Sequence, residues 1–226
     1  MNAMTTPTAQ PTGMSTSAAF ARCYQLLGTA FAYPDSDIAN AVKTGEFRDA
    51  LVEAAISADG ELEGAFAPRS GALVLDVEDA MAALEADYLA AFELDVPKRV
   101  VSLYEGSYAG GCDRSAILLE VKSFYQHFGL AISEQMREAE DHLAAELEFM
   151  QFLAIKQAIA EADNADSAPY RRAQRDFLER HLAVWLPRLA IAVAEVDSDF
   201  YRTLAWLSAA VVGRHLVALK GEELAP

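Results

Sequence analysis

The chain has 226 residues, 53% of them hydrophobic, with only 12 glycines and 8 prolines. That is too apolar for a disordered chain, enough for a sizeable core in one large domain or two small ones, and poor in helix breakers. Its 34 acidic residues outnumber 18 basic ones for a formal net charge of −16, which argues against a nucleic-acid binder and favours cationic partners.

Residues 1–15 are rich in Thr, Pro and Ala, lack a basic stretch followed by an apolar one, and read as a flexible tail rather than a secretory signal. The remainder, 16–226, reads as one all-helical domain of about eight to ten helices, with a hinge near 129–141. The first helix is expected over 17–33, where Phe20, Tyr24, Leu27 and Phe31 recur on one face. Pro34, Asp35 and Ser36 stop it and cap a short helix near 37–43. Gly45 separates that from a third over 46–58. A looser stretch with Gly60, Gly64, Pro68 and Gly71 leads to an amphipathic helix over 76–93, striped by Val77, Met81, Leu84, Tyr88 and Phe92. Acid concentrates here: residues 46–95 hold thirteen acids against two bases.

A long loop follows over 94–112, punctuated by Pro97, Gly106, Gly110 and Gly111 and carrying Leu103, Tyr104 and Tyr108. Long loops in compact domains are commonly functional. A helix over 113–128 ends at Gly129, and Ser133 is expected to cap the next, which reaches about 162 with or without a break near 139–141. Pro169 suits the first turn of a helix expected to run to Trp185, where Pro187 breaks or kinks it. That helix carries a cluster of Arg171, Arg172, Arg175 and Arg180. A last helix spans about 198–219. The apolar runs 182–196 and 203–219 are interrupted by Pro187 with Arg188 and by Arg214 with His215, so no membrane span is expected. Cys23 and Cys112 make neither a disulfide framework nor a zinc set. A cytoplasmic protein is the expectation.

The chemistry-bearing segment is 140–153, where Glu140, Asp141 and His142 open a strongly apolar helix. A di-iron bundle needs two Glu-x-x-His pairs. Here Glu138, His142 and Glu146 offer at most one carboxylate–imidazole cluster, so no metal or other cofactor is expected. The loop 106–111 contains Gly-x-x-x-Gly-Gly but lacks the preceding strand and the lysine of a phosphate cradle. An enzyme or nucleotide-binding protein built on His142 and this loop is the alternative reading. Asp141 can cap the helix. Equally, Asp141 and Glu146 can present carboxylates to a guanidinium, with the aromatic loop beside them as a groove for a cationic, partly apolar peptide.

Three ordered elements resemble the TorD/DmsD/NarJ family of redox-enzyme maturation chaperones. The first is Asp141-His142-Leu143 followed by Glu146-Leu147-Glu148-Phe149-Met150. The second is His181-Leu182-Ala183-Val184-Trp185-Leu186-Pro187, followed by Phe200-Tyr201-Arg202-Thr203-Leu204-Ala205. The third is Tyr104-Glu105-Gly106-Ser107-Tyr108. Ala139 stands where the family has proline, and Gly106 separates Glu105 from Ser107, which the family keeps adjacent. The resemblance implies a non-enzymatic, all-helical, cytoplasmic chaperone. Its partner would be the twin-arginine signal peptide, or another N-terminal segment, of a molybdopterin-containing oxidoreductase. The client would be held until cofactor insertion, before export. A monomer is expected, with a dimer as the alternative. Asp141 and His142 would form the signal-binding region with Glu140 and Glu146, and Tyr104, Ser107 and Tyr108 would line the same groove. Trp185 and Pro187 would be structural.

Overall fold

The computed structural model describes residues 13–94, 101–111, 113–130 and 139–223, and its ten α-helices with no strand among these residues make an all-α protein. Ser133, Cys112, Pro97 and Glu138 lie outside the described residues, as does most of the segment expected to form a hinge.

Helix α1 (Thr16–Phe31) is capped by Ser15, whose side chain accepts from the Ala18 amide. Its whole apolar stripe is buried: Phe20, Tyr24, Leu27 and Phe31. Asp35 caps α2 (Ser36–Thr44), and Gly45, at φ +83°, ends α2 and opens α3 (Glu46–Ala58). Only glycine takes that left-handed turn without strain. The looser stretch holds α4 (Leu62–Phe66) and a 3₁₀ turn over Ser70–Leu73. Helix α5 (Ala80–Tyr88) begins later than the apolar stripe suggests, because Asp79 caps it and leaves Val77 outside and exposed. It widens into a π-turn over Leu89–Glu93.

Asp113 caps α6 (Arg114–His127), and α7 (Leu143–Ala162) runs through the core. Helix α8 (Ala168–Arg180) carries Pro169 in its first turn, as expected. The expected break at Pro187 does not occur there. The chain turns at His181, and α9 (Leu182–Val193) carries Pro187 inside it. The His181 carbonyl receives the Val184 and Trp185 amides and starts the new helix, so the discontinuity falls one turn and a half upstream of the proline that the sequence pointed to. Helix α10 (Asp199–Glu223) closes the fold.

Helix α1 packs on α7 and α3, α7 on α8, and α10 on α9, α8 and α4. The layers share one apolar core, from Phe20 and Tyr24 through Leu147 and Met150 to Trp185 and Tyr201. A polar seam ties α1, α7 and α8: Ser17 donates to Glu161 at 2.6 Å, Gln157 donates to Glu161 at 2.7 Å, and Gln174 donates to Gln157 at 2.7 Å. No helix of the described residues is long and apolar enough to cross a membrane.

Candidate functional site

The loop 101–111 is fastened to the start of α7 by backbone bonds. The Leu143 amide donates to the Leu103 carbonyl at 2.8 Å and the Glu105 amide to the Asp141 carbonyl at 2.9 Å, which makes an antiparallel bridge between Tyr104 and His142. Beyond the bridge the loop curls into a 3₁₀ turn over Glu105–Tyr108. Residues 38 positions apart in sequence therefore meet at one place, and it is where the expected site residues lie.

His142, not Asp141, caps α7. Its Nδ1 accepts from the Ala144 amide at 3.2 Å, which puts the imidazole proton on Nε2, and Tyr104 meets its ring edge-on at 5.0 Å. Asp141 sits one residue too early, in the turn where the His142 amide donates to the Ala139 carbonyl. The turn forms with alanine at 139. The Asp141 side chain points under the loop instead, fully buried, and its Oδ2 accepts from the Gly106 amide at 3.0 Å. Arg114, at the first residue of α6, brings Nε to 3.7 Å from the same oxygen and lays its guanidinium 5.4 Å over the Tyr104 ring.

The other expected residues divide by exposure. Ser107 is exposed, with its hydroxyl 2.6 Å from that of Ser102. Tyr104 and Glu140 are partly buried, and Glu140 pairs with Lys122 at 3.4 Å while its carbonyl accepts from the Tyr125 hydroxyl at 3.0 Å. Tyr108, partly buried too, donates its hydroxyl to the Ser102 carbonyl at 2.8 Å and stacks on Trp185, 5.4 Å between rings. Burial pushes its phenol up to about 12. Glu146 faces inward, wholly enclosed.

Beneath the loop lies a polar cluster that brings Glu146, an expected site residue, together with Glu105, His181, Glu120 and Trp185, which the sequence did not single out as site residues. Glu105 is buried and accepts from His181 Nδ1 at 2.9 Å and 3.2 Å to its two oxygens. His181 Nε2 faces Glu120 at 3.5 Å, and Glu120 also pairs with Arg180. Glu146 Oε2 accepts from the Trp185 indole at 3.0 Å. Burial drives the Glu146 carboxyl well above its ordinary range, and the Glu105 charge adds to this. Among the described residues, Asp141 Oδ1 and Glu146 Oε1 accept no hydrogen bond. The signal for this cluster was present in the spacing of His181 and Trp185 and in the acid between two tyrosines. The sequence did not show that the chain turns at His181 and delivers both side chains to the loop. His127 is exposed and His215 is buried against Tyr24. Among the described residues no group of three or more His, Cys, Asp or Glu side chains has the arrangement of a metal site.

The chain's relatives bear on what such a pinned, acid-floored loop is for. The nitrate reductase delta subunit family matches residues 47–190. The perchlorate reductase assembly chaperone protein of Dechloromonas aromatica is 40% identical over 205 residues, covering 88% of this chain and 89% of its own length. The selenate reductase assembly chaperone protein of Thauera selenatis is 47% identical over 117 residues, 52% of this chain and 61% of its own. The TorD chaperone of Vibrio parahaemolyticus is 29% identical over 150 residues, 65% and 69% respectively. These relatives are named as chaperones, the first two as reductase assembly chaperones, and not as catalysts, so the reading of His142 and the glycine loop as an enzyme's machinery falls away. This chain belongs to the nitrate reductase delta subunit family, the TorD/NarJ group of redox-enzyme maturation chaperones.

Proposed function

We propose that this protein is a cytoplasmic, system-specific chaperone for a molybdenum oxidoreductase, which binds the client's N-terminal twin-arginine signal and assists cofactor insertion and assembly before export. The observation that carries the reading is the 40% identity to a perchlorate reductase assembly chaperone over nearly the full length of both chains. The client is accordingly a reductase catalytic subunit of that general kind. The signal-binding region centres on the junction of the loop 101–111 with the 139–142 turn. Tyr104, Ser107 and Tyr108 offer its accessible aromatic and hydroxyl groups, Glu140 its rim acid, and Asp141, His142 and Glu146 its floor.

The physics of the junction supports a cationic, partly apolar ligand. The surface is acidic overall, at −16, and steers arginine-rich peptides toward it. A desolvated Arg–carboxylate pair contributes about 1.5–3 kcal/mol. Two such pairs with apolar burial place the complex at about −8 kcal/mol, the micromolar class.

The test is calorimetric titration with a synthetic twin-arginine leader taken from the client encoded beside this chaperone, against the same peptide with both arginines changed to lysine. Micromolar binding of the first, weakened about tenfold by Asp141→Asn and by the lysine swap, is expected. Absence of binding to the arginine peptide, with the mature client retained instead in a pull-down from the host, sinks the signal-binding part of the proposal.

A further inference from the structure

Arg114 is placed against the ordinary rule for its position. It is the first residue of α6, where the helix dipole disfavours a cation. Asp113 already supplies the cap, accepting from the Ser115 amide at 2.9 Å. The arginine side chain instead runs back across the loop. A Cβ built on Gly106 would stand 2.5 Å from its Cγ, 2.9 Å from its Cδ and 2.9 Å from Asp141 Oδ2. Only a glycine at 106 leaves room for the arginine stem and the aspartate together. The guanidinium ends over the face of Tyr104 and beside Asp141. An aromatic wall, a buried carboxylate and a glycine floor are the parts of a guanidinium seat.

The seat is filled poorly. Nε approaches Asp141 Oδ2 side-on at 3.7 Å, beyond hydrogen-bond range, and Oδ1 has no partner among the described residues. The side chain of Arg114 remains 53% exposed while that of Asp141 is fully enclosed. A guanidinium arriving from outside the chain would be free to approach end-on and use its fork, which Arg114, tethered at the start of α6, does not do.

We infer that Asp141, Tyr104 and Gly106 form a guanidinium subsite that the chain's own Arg114 occupies as a stand-in, and that an arginine of the bound client displaces it. This rests on the signal-binding reading above for the identity of the displacing group. Self-occupancy keeps the buried carboxylate partly compensated when no client is bound, and it makes the incoming group compete with Arg114, which a lysine, having no fork, does less well than an arginine.

A small probe separates the subsite from the client. Ethylguanidinium is titrated into Arg114→Ala, the wild type and Arg114→Ala/Asp141→Asn while the Gly106 amide resonance is followed. Saturable binding in the millimolar range by Arg114→Ala, about fivefold or more tighter than by wild type and abolished in the double variant, is the expected result. Equal response of wild type and Arg114→Ala, or binding that survives Asp141→Asn, overturns the subsite. Should the double variant lose its fold, Arg114→Ala/Tyr104→Leu takes its place with the same criterion. With the twin-arginine peptide, Arg114→Gln keeps the stem but not the charge and binds about three- to fivefold tighter than wild type. Unchanged or weaker binding by that variant overturns the displacement. A peptide that binds neither protein counts against the signal-binding reading, and ethylguanidinium still decides the subsite.

Discussion

Glu146 is an acid whose surroundings oppose its charge. It is wholly enclosed, burial raises its carboxyl well above the ordinary value, Glu105 adds repulsion, and the hydrogen bond from Trp185 only partly offsets them. A protonated carboxyl can donate as well as accept, and so can the amide that replaces it in Glu146→Gln. That variant is expected to fold at neutral pH with stability equal to or above wild type, measured by urea unfolding. Glu146→Leu is a different case, because it leaves the buried Trp185 indole N–H without an acceptor. It should be about 1–3 kcal/mol less stable than the glutamine variant. Equal stability of the two would show that the Trp185 bond contributes nothing. Asp141 contrasts with Glu146. It touches the loop backbone and Arg114 rather than the core tryptophan, so its substitution is expected to register mainly in ligand binding.

At the scale of elements, the loop 101–111 depends on one close approach. Gly106→Ala would drive a methyl into the Arg114 stem and the Asp141 carboxylate. Arg114 is half exposed and gives way first, so the loss is expected to be about 1–3 kcal/mol, with faster proteolysis within 101–111. An unchanged urea midpoint and cleavage rate would disprove the close contact. The helices themselves were largely legible from sequence. Aromatic spacing marked α1, Gly45 marked the α2–α3 corner, and Pro169 marked the start of α8. Two features were not. The cap of α7 passed from Asp141 to His142 because the bridge to Tyr104 sets the register of the turn, and that bridge joins residues 38 positions apart. The α8–α9 corner moved from Pro187 to His181 because the buried bond to Glu105 holds the histidine there. Both depend on contacts distant in sequence, which neither periodicity nor cap chemistry encodes. The same distance hides from the sequence that Glu105, His181 and Trp185 lie together beneath the loop.

For the whole molecule, two buried groups shape stability against pH, and their signs oppose. His215 is stacked on Phe20 at 3.8 Å, with Nδ1 2.8 Å from the Tyr24 hydroxyl, and burial lowers its pKa from 6.5 to about 3. Below pH 6.5 the unfolded chain binds a proton that the folded one refuses, so stability falls as pH drops from there toward 3, by up to about 1.4 kcal/mol per unit. Glu146 runs the other way. Its folded carboxyl keeps a proton that the unfolded chain gives up above 4.5, so stability falls as pH rises from 4.5 toward the raised folded value. Above pH 4.5 the Glu146 slope opposes that of His215 and flattens the curve, while below 4.5 the His215 slope acts alone and stability declines. On the alkaline side the self-repulsion of a chain at −16 adds to the Glu146 decline. Urea unfolding across pH 3.5–9 should show His215→Asn losing the acid decline and Glu146→Gln losing part of the alkaline one. Repeating the pH 8 measurement in 0.5 M NaCl separates the remaining contributions. Salt screens surface repulsion in both proteins and leaves the buried carboxyl unscreened, so the gap between wild type and Glu146→Gln should persist. A gap that closes in salt would assign the alkaline decline to net charge alone and return Glu146 to an ordinary ionised acid.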